Sequence, residues 1–576
     1  MRSYVILLIT VFVVALPFLF QKKETLSNWR KGDPVLVVIT PHNEAVRREF
    51  GLAFSKWHEK QYGKPVKIDW RSIGGASEIM RYLEAEYISA FRSYWLEQGK
   101  SWPAAGATMM LSAKHSDEPV NKAFRQHDDA KAFTSGVDVL FGGGAYDHGK
   151  AAAQGLLVAP WKEGAIPEGL VSTAKGQLLI PKALNGEVWR TDVYYGSALS
   201  TFGICYNVDR LADLGIKKPP ISWQDLTSPK YYRQIGVADP TKSGSNAKAI
   251  EMIIHQQCHI AVAAAGFSKS QITDFERRIL TAKLPPGELP PGIPNRYQDA
   301  IERGWLNGLN LVRKIAANAR YFTISAGKVP IDVSMGDAAA GLVIGFYGRF
   351  QAENTRSTDG KQRMIYITPP GGSSVSSDPI SLLRGAQNRE LALRFMAFVL
   401  GEAGQKLLAY RPGTPGGPSR YALRRLPIRR DFYPSPDPYM MAAFKKHEPY
   451  LSDKLSAPTV DAYSLAEKFQ YNHRWTAKHF RIQRHLIRAM CLDGGHELRL
   501  AWEAILKNGG PDKNAEAMKY FEELPKRPTP LTWKSALSMA KKYDKIDYMR
   551  EWTLFFRETY GKAKNAAEKG KAVREL

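Results

Sequence analysis

The sequence predicts an α/β protein whose sheets have parallel cores and helical cover, followed by a helical, basic C-terminal region. Three observations predict it. From Asp33 onward short apolar runs alternate with amphipathic stretches of helical spacing. The same alternation returns between Thr201 and Asn246, an apolar strand leading to a helix, a Pro-Pro break, a second helix and another strand. Beyond Asp431 the strand signal ends, and Lys, Arg and aromatic residues recur at helical intervals.

Each element follows from its residues. Pro34 to Thr40 is a continuous apolar run, the pattern of a strand covered on both faces. Val46, Phe50, Phe54 and Trp57 then form one stripe of a helix, which Gly63-Lys64-Pro65 stops. Val66 to Trp70 reads as the second strand. Gly74-Gly75-Ala76-Ser77 opens a helix with Leu83, Tyr87, Phe91 and Trp95 on one face. Val137 to Phe141 is a third strand, running into Gly142-Gly143-Gly144. This βαβαβ order places ligands beyond the carboxyl ends of the strands. Residues 99–132 read as a polar insertion, with His127, Asp128 and Asp129 solvated, and 284–292 as a Pro-rich loop. A long helix is expected from Asn388 to Leu408, broken by Arg411 to Pro418. Helices are expected at 475–490, 497–506 and 533–542, and 562–576 reads as a basic tail. No repeat of the solenoid kind occurs.

A chain of 576 residues with 44% apolar content can bury two or three cores. The net charge of +25 is first the mark of a basic proteome or compartment, and next of nucleic acid, anionic lipid or an anionic solute; no zinc-finger spacing, RNP-type motif or basic helix-turn-helix accompanies it. Nucleic acid is therefore not an expected partner. Tyr4 to Phe20 is an uncharged apolar run after Arg2, read as an uncleaved membrane anchor or a signal peptide within residues 1–22. Cys205, Cys258 and Cys491 exclude a disulfide scaffold, and Cys205 reads as a small buried hydrophobe. Gly-x-Ser-x-Gly, His-Glu-x-x-His and a phosphate-cradling Walker loop are all absent from the sequence.

The module Tyr206-Asn207-Val208-Asp209-Arg210-Leu211, the run Pro220-Ile221-Ser222-Trp223-Gln224-Asp225-Leu226 and the loop Asp239-Pro240-Thr241-Lys242-Ser243-Gly244-Ser245 carry a resemblance. So does the helix from Asn388 to Gln405. The chain from about Val35 to Tyr421 resembles the solute-binding proteins of ABC importers, in their iron(III), polyamine and phosphonate cluster. The resemblance implies the two-lobed type II periplasmic-binding fold, with a two-segment hinge that closes on the solute. It places lobe 1 at 33–203 plus 350–400 and lobe 2 at 204–349 plus 401–430; it does not extend into 431–576, which reads from its residues as a helical basic extension of open role. It implies an exported, monomeric protein that hands a small solute, an anion or a metal ion, to an ABC permease. Neither cofactor nor covalent step is implied.

Candidate ligand groups lie at loop ends. Thr40, His42 and Asn43 follow the first strand, and Gly75, Ala76 and Ser77 start a helix. Gly143 and Gly144 allow close backbone approach. Ser243, Gly244, Ser245 and Asn246 start another helix, and Asp337, Tyr347 and Arg349 offer an acid, a phenol and a guanidinium. The solute remains open between ferric iron and an oxyanion such as a phosphonate. Ferric binders of the cluster use adjacent tyrosines where Phe346-Tyr347 stands, and one of the pair is Phe here. Tyr194-Tyr195 reads as structural. Two other classes stay open: a metal-dependent hydrolase using His255, Cys258 and His259 on one helical face, and a membrane-tethered interaction protein.

Overall fold

The structure is a computed structural model describing residues 28–112, 117–162, 165–453, 460–539 and 545–572. The strands are β1 (Val35–Ile39), β2 (Lys67–Arg71), β3 (Val139–Phe141), β4 (Leu157–Val158), β5 (Ala183–Leu184), β6 (Glu187–Val188) and β7 (Tyr194–Ser200). They continue with β8 (Phe202–Asn207), β9 (Ile235–Ala238), β10 (Ala319–Thr323), β11 (Ala340–Ile344), β12 (Met364–Ile367), β13 (Ser376–Leu383) and β14 (Leu426–Pro427).

The first sheet runs β14-β7-β13-β3-β1-β2, and β4 pairs with the end of β13. Its core is parallel: β1 pairs in parallel with β2 and β3, whereas β13 is antiparallel to β3 and β7. The second sheet runs β10-β9-β11-β8-β12, parallel through β10, β9 and β11 and antiparallel beyond. Both faces of the first sheet are covered, as the unbroken apolar run at β1 predicts. Leu36 and Val38 face a core shared with Val46, Phe50 and Phe54 of the helix Glu44–Tyr62. Ile39 faces the opposite core, with Leu83, Tyr87, Phe91 and Trp95 of the helix Ala76–Glu97. Each such side chain contributes about 1.5–3 kcal/mol on burial.

The chain first crosses between lobes at Thr201, which alone separates β7 from β8. The return crossing is 368–375, between β12 and β13. The family-like module braces it: the Trp223 indole is fully buried and donates to the Gly372 carbonyl at 2.9 Å. Phe202 N–H donates to Ser373 Oγ at 2.8 Å, so the two crossings lie against each other.

Several boundaries differ from the sequence reading. Residues 350–367 stay in the second lobe because β12 pairs with β8. Residues 401–430 belong to the first lobe, not the second, because Leu407 and Leu408 enter the first core and β14 pairs with β7. The helix expected at 388–408 is two helices, Arg389–Leu400 and Glu402–Ala409, separated by extended Gly401. Asp128 and Asp129 are exposed as expected, but residues 99–132 are not an irregular insertion. They form the helices Gly106–Leu111 and Pro119–Gln126, whose Met110, Val120 and Phe124 are buried. Asp128 holds this unit in place by accepting from Gly385 N–H and from Arg389.

Nor is 431–576 a separate extension. Phe432, Tyr433, Phe444 and Tyr463 pack into the first core, whereas Trp475, Trp502, Trp533 and Trp552 pack into the second. The chain therefore crosses between lobes a third time, at 469–474. The expected basic tail from 562 continues the helix Lys545–Ala572, with Ala563 and Ala567 fully buried. Arg313, also fully buried, lies over the Phe556 ring at 5.4 Å and donates to the Glu523 carbonyl at 3.2 Å. The three cysteines are free and buried, and burial pushes the Cys205 thiol up to about 12. Among the described residues no helix is long and apolar enough to cross a membrane. The expected anchor at 4–20 lies outside the described residues.

Candidate functional site

Parallel strands place their carboxyl ends on one side, and here those sides of the two sheets face each other. The loops after β1 and β3 meet those after β9 and β11, forming an interlobe seam with two clusters.

The first cluster lies near the hinge. His42 follows β1, is 3% exposed, and packs its ring 4.6 Å from Phe141. Arg425, 2% exposed, donates from Nη1 to His42 Nε2 at 2.8 Å and pairs with Asp378 of β13. The guanidinium lies 4.2 Å from the centre of the Phe346 ring, at the end of β11. Burial, then the charges of Arg425 and Arg47, hold the His42 pKa well below its ordinary 6.5. A neutral imidazole accepting at Nε2 carries its proton on Nδ1, and that atom is buried without a partner. Arg425 Nε and both Arg349 Nη atoms are likewise buried without acceptors. Arg349 is 6% exposed and spends its Nε on the Arg424 carbonyl at 3.2 Å. Tyr347 completes the cluster; burial raises its phenol pKa while Arg425 opposes the rise. Burial also raises the Asp378 carboxyl, against the pull of Arg425.

Gly142 makes room for His42. Its φ is +87°, and a Cβ there would lie 2.4 Å from the His42 ring. Gly142→Ala is expected to lose about 1–2 kcal/mol from left-handed backbone alone, and to displace the imidazole. Thermal unfolding together with the His42 NMR signals checks this.

The second cluster is made of helix starts. Gly143 and Ala76 abut, a Cβ on the glycine lying 3.5 Å from Ala76 Cβ. One on Gly75 would lie 3.3 Å from the Lys242 carbonyl across the seam. One on Gly244 or on Gly144 would lie 3.7 or 3.8 Å from an Asp147 carboxylate oxygen. The C-terminal region enters here too. Arg484 donates to Ser77 Oγ at 3.2 Å and to the Pro240 carbonyl at 2.5 Å, and Phe480 packs 5.1 Å from Tyr146. Burial raises the Asp147 carboxyl, with Arg484 the main opposing charge.

Behind this cluster His148 donates from Nε2 to the Gly142 carbonyl at 3.1 Å and accepts at Nδ1 from Ser381 Oγ at 2.5 Å. Burial lowers it from 6.5 to about 4. The unfolded chain therefore binds this proton at a higher pH than the folded one. The contribution is intact above about pH 6.5 and is lost as pH falls toward 4. Between pH 7 and 5 it removes about 2 kcal/mol, read as a urea midpoint that His148→Gln makes less pH-dependent.

Other expected residues serve local structure. Thr40 Oγ1 accepts from His42 N–H at 3.1 Å, and Asn43 caps the helix Glu44–Tyr62. Ser243 caps the helix Gly244–Ala264 by accepting from Asn246 N–H, with its hydroxyl 3.3 Å from Ser245 Oγ. Asn246 is fully buried and accepts from Ala238 N–H at 3.1 Å. Asp337 leaves the set altogether. It precedes β11, so it sits exposed at the opposite end of the strand from Phe346. Tyr194 and Tyr195 lie buried within β7. His255 Nε2 accepts from Asn472 N–H at 3.1 Å, and His259 Nε2 donates to the Gln470 carbonyl at 2.7 Å. Cys258 is buried, with Sγ 3.6 Å from the Ile301 carbonyl. That helix face thus seats the third crossing. Among the described residues no group of three or more His, Cys, Asp or Glu is arranged to hold a metal ion.

Asp378, Arg425, Asp147 and Arg484 were missed. A carboxylate inside the strand Ser376–Leu383 and an arginine pair within the apolar run Leu423–Ile428 were visible signals. A charge in a buried strand needs a partner. A cavity of about 700 Å³ opens elsewhere, between Glu402, Lys406, Arg429, Asp431 and Tyr439, and no expected site residue lines it.

Residues 155–432 match the family described as Bacterial extracellular solute-binding protein. A curated relative from Haemophilus influenzae (strain ATCC 51907 / DSM 11121 / KW20 / Rd), described as an uncharacterized protein, is 24% identical over 277 residues. The match covers 48% of this chain and 62% of the relative, so less than two thirds of that protein is spanned. Similar solved structures include the periplasmic binding protein AfuA from Actinobacillus pleuropneumoniae with fructose-6-phosphate bound. It has TM-score 0.43 and 16% identity, over 75% of this chain and 96% of that one. The apo ferric ion-binding protein A of Pasteurella haemolytica has TM-score 0.39 and 12% identity, over 79% and 96%. The spermidine/putrescine protein PotD of Streptococcus pneumoniae has TM-score 0.40 and 14% identity, over 78% and 99%.

Proposed function

We propose that the chain is the extracytoplasmic solute-binding component of an ABC importer, capturing an oxyanion in the interlobe seam and passing it to a membrane permease. The observation that carries the anion is the set of buried donors on His42, Arg425 and Arg349 that lack acceptors. A buried donor left unpaired costs about 1–3 kcal/mol. A phosphate, phosphonate or phosphate ester offers several acceptor oxygens and forms charge-assisted, bidentate bonds with guanidinium groups. Capture needs no covalent step.

A ferric ion or polyamine would meet the buried Arg425 and Arg349, each of which already has a carboxylate beside it, Asp378 and Asp453. Tyr347 is the one phenol of the Phe346-Tyr347 pair, and the guanidinium of Arg425 already lies over Phe346. The hydrolase reading has no support from the histidine helix, because His255 and His259 are engaged with residues 470–472.

Titration calorimetry on the purified full-length protein tests the reading with inorganic phosphate, a hexose phosphate, methylphosphonate, ferric citrate and spermidine. At least one phosphorus oxyanion is expected to bind, and Arg349→Ala to weaken it roughly 10-fold to 100-fold. Binding of ferric iron or spermidine alone would sink the proposal, as would an anion affinity indifferent to Arg349.

A further inference from the structure

We infer that the third interlobe crossing is a built-in clamp, which holds the two lobes in the closed arrangement without solute. In a protein with two crossings, closure is set by what fills the seam. Here residues 469–474 lie between the lobes and bond to both.

The lobe 1 contact is the tip of the β5–β6 hairpin. Asn185 (φ +44°) and Gly186 (φ +89°) form its two-residue, left-handed turn. Tyr471 N–H donates to the Asn185 carbonyl at 2.8 Å. His473 donates to the Gly186 carbonyl at 2.6 Å, and Asn185 Nδ2 donates back to the Ala466 carbonyl at 2.8 Å. The approach is so close that a Cβ on Gly186 would lie 2.0 Å from the Tyr471 carbonyl oxygen.

The lobe 2 contact is the helix Gly244–Ala264. Lys248 bridges Glu187 of β6 at 3.1 Å and Glu251 of its own helix at 3.0 Å. Its Nζ also lies 3.7 Å from the centre of the Tyr471 ring. Glu251 accepts from Tyr471 and from Thr476, and Glu187 accepts from Ser374 of the return crossing. Glu187, Glu251, Ser374, Tyr471 and Thr476 are all buried. Opening the lobes would separate Glu187 from Lys248, which keeps only Glu251 of its own helix, and would break the buried bonds that Tyr471 and Ser374 make to the two carboxylates. It would also lift Tyr471 from the hairpin. Farther along, Arg484 joins Ser77 of lobe 1 to Pro240 of lobe 2, a second fastening by the same region.

The test is the interlobe distance in solute-free protein. The three native cysteines are buried, so spin labels on Lys56→Cys and Lys217→Cys report selectively. Pulsed electron resonance is expected to show one narrow distance for the wild type without solute. Asn185→Ala/His473→Ala removes lobe 1 bonds at a hairpin tip and should raise a longer-distance population roughly 10-fold. Lys248→Met should do so more strongly, and circular dichroism establishes that each variant is folded. If Lys248→Met does not fold, the tip variant decides. A broad or open distribution in the solute-free wild type overturns the clamp, as does a distribution that folded variants leave unchanged. The experiment uses no solute, so failure of the anion assignment would not affect it.

Discussion

Arg425→Met is expected to lower the unfolding free energy by about 3–5 kcal/mol, the cost of leaving one member of a buried ion pair behind. The arginine is 2% exposed, and its removal strips Asp378 of its cation and His42 Nε2 of its donor. Asp378 already has a raised carboxyl pKa from burial, so it would rise further and bind a proton nearer neutrality. The destabilisation should therefore be larger at pH 8 than at pH 5. Adding Asp378→Asn should recover part of the loss, because it removes the stranded charge. Urea unfolding of the four proteins in this cycle measures it. A loss below about 1 kcal/mol would show that the pair is effectively solvated. Anion binding should be abolished in Arg425→Met even under conditions where the variant is folded.

Trp502→Ala is expected to cost about 3–5 kcal/mol although the residue lies 70 positions beyond the family-matched segment. Its ring is 1% exposed and stacks 5.2 Å from Phe521. Its indole donates to Asn318 Oδ1 at 2.9 Å, and the Asn318 amide holds the Leu226 and Ser228 carbonyls. The substitution therefore opens a cavity and unpairs a buried acceptor next to the family-like module. For the same reason a chain ending at Asp431 should not fold as a soluble two-lobed protein, since both cores lose side chains. Expression of that truncation with intact solute affinity would contradict this packing.

Much of the fold was legible. The run at β1, the stripe Val46–Phe50–Phe54 and the stripe Leu83–Tyr87–Phe91–Trp95 announce themselves, because period and burial coincide there. The seam was half legible. His42, Gly75 to Ser77, Gly143, Gly144, Gly244, Tyr347 and Arg349 all reach it, because each follows a strand whose direction the pattern settles. Asn43, Ser243 and Asn246 carry the same residue chemistry but cap helices and tie loops, a choice decided by the first turn of each helix. Asp337 was misplaced because Met335-Gly336-Asp337 precedes a strand rather than following one.

Sequence alone settled the strand–helix order, the apolar stripes and the family-like module, because these depend on neighbours within a few turns of chain. Only the tertiary structure decided that residues 401–427 return to the first sheet, that Arg425 meets Asp378 across 47 positions, and that residues beyond 431 divide between both cores. The physical reason is that a buried charge or an apolar helix face states its need for a partner locally. Which distant segment answers is selected by packing.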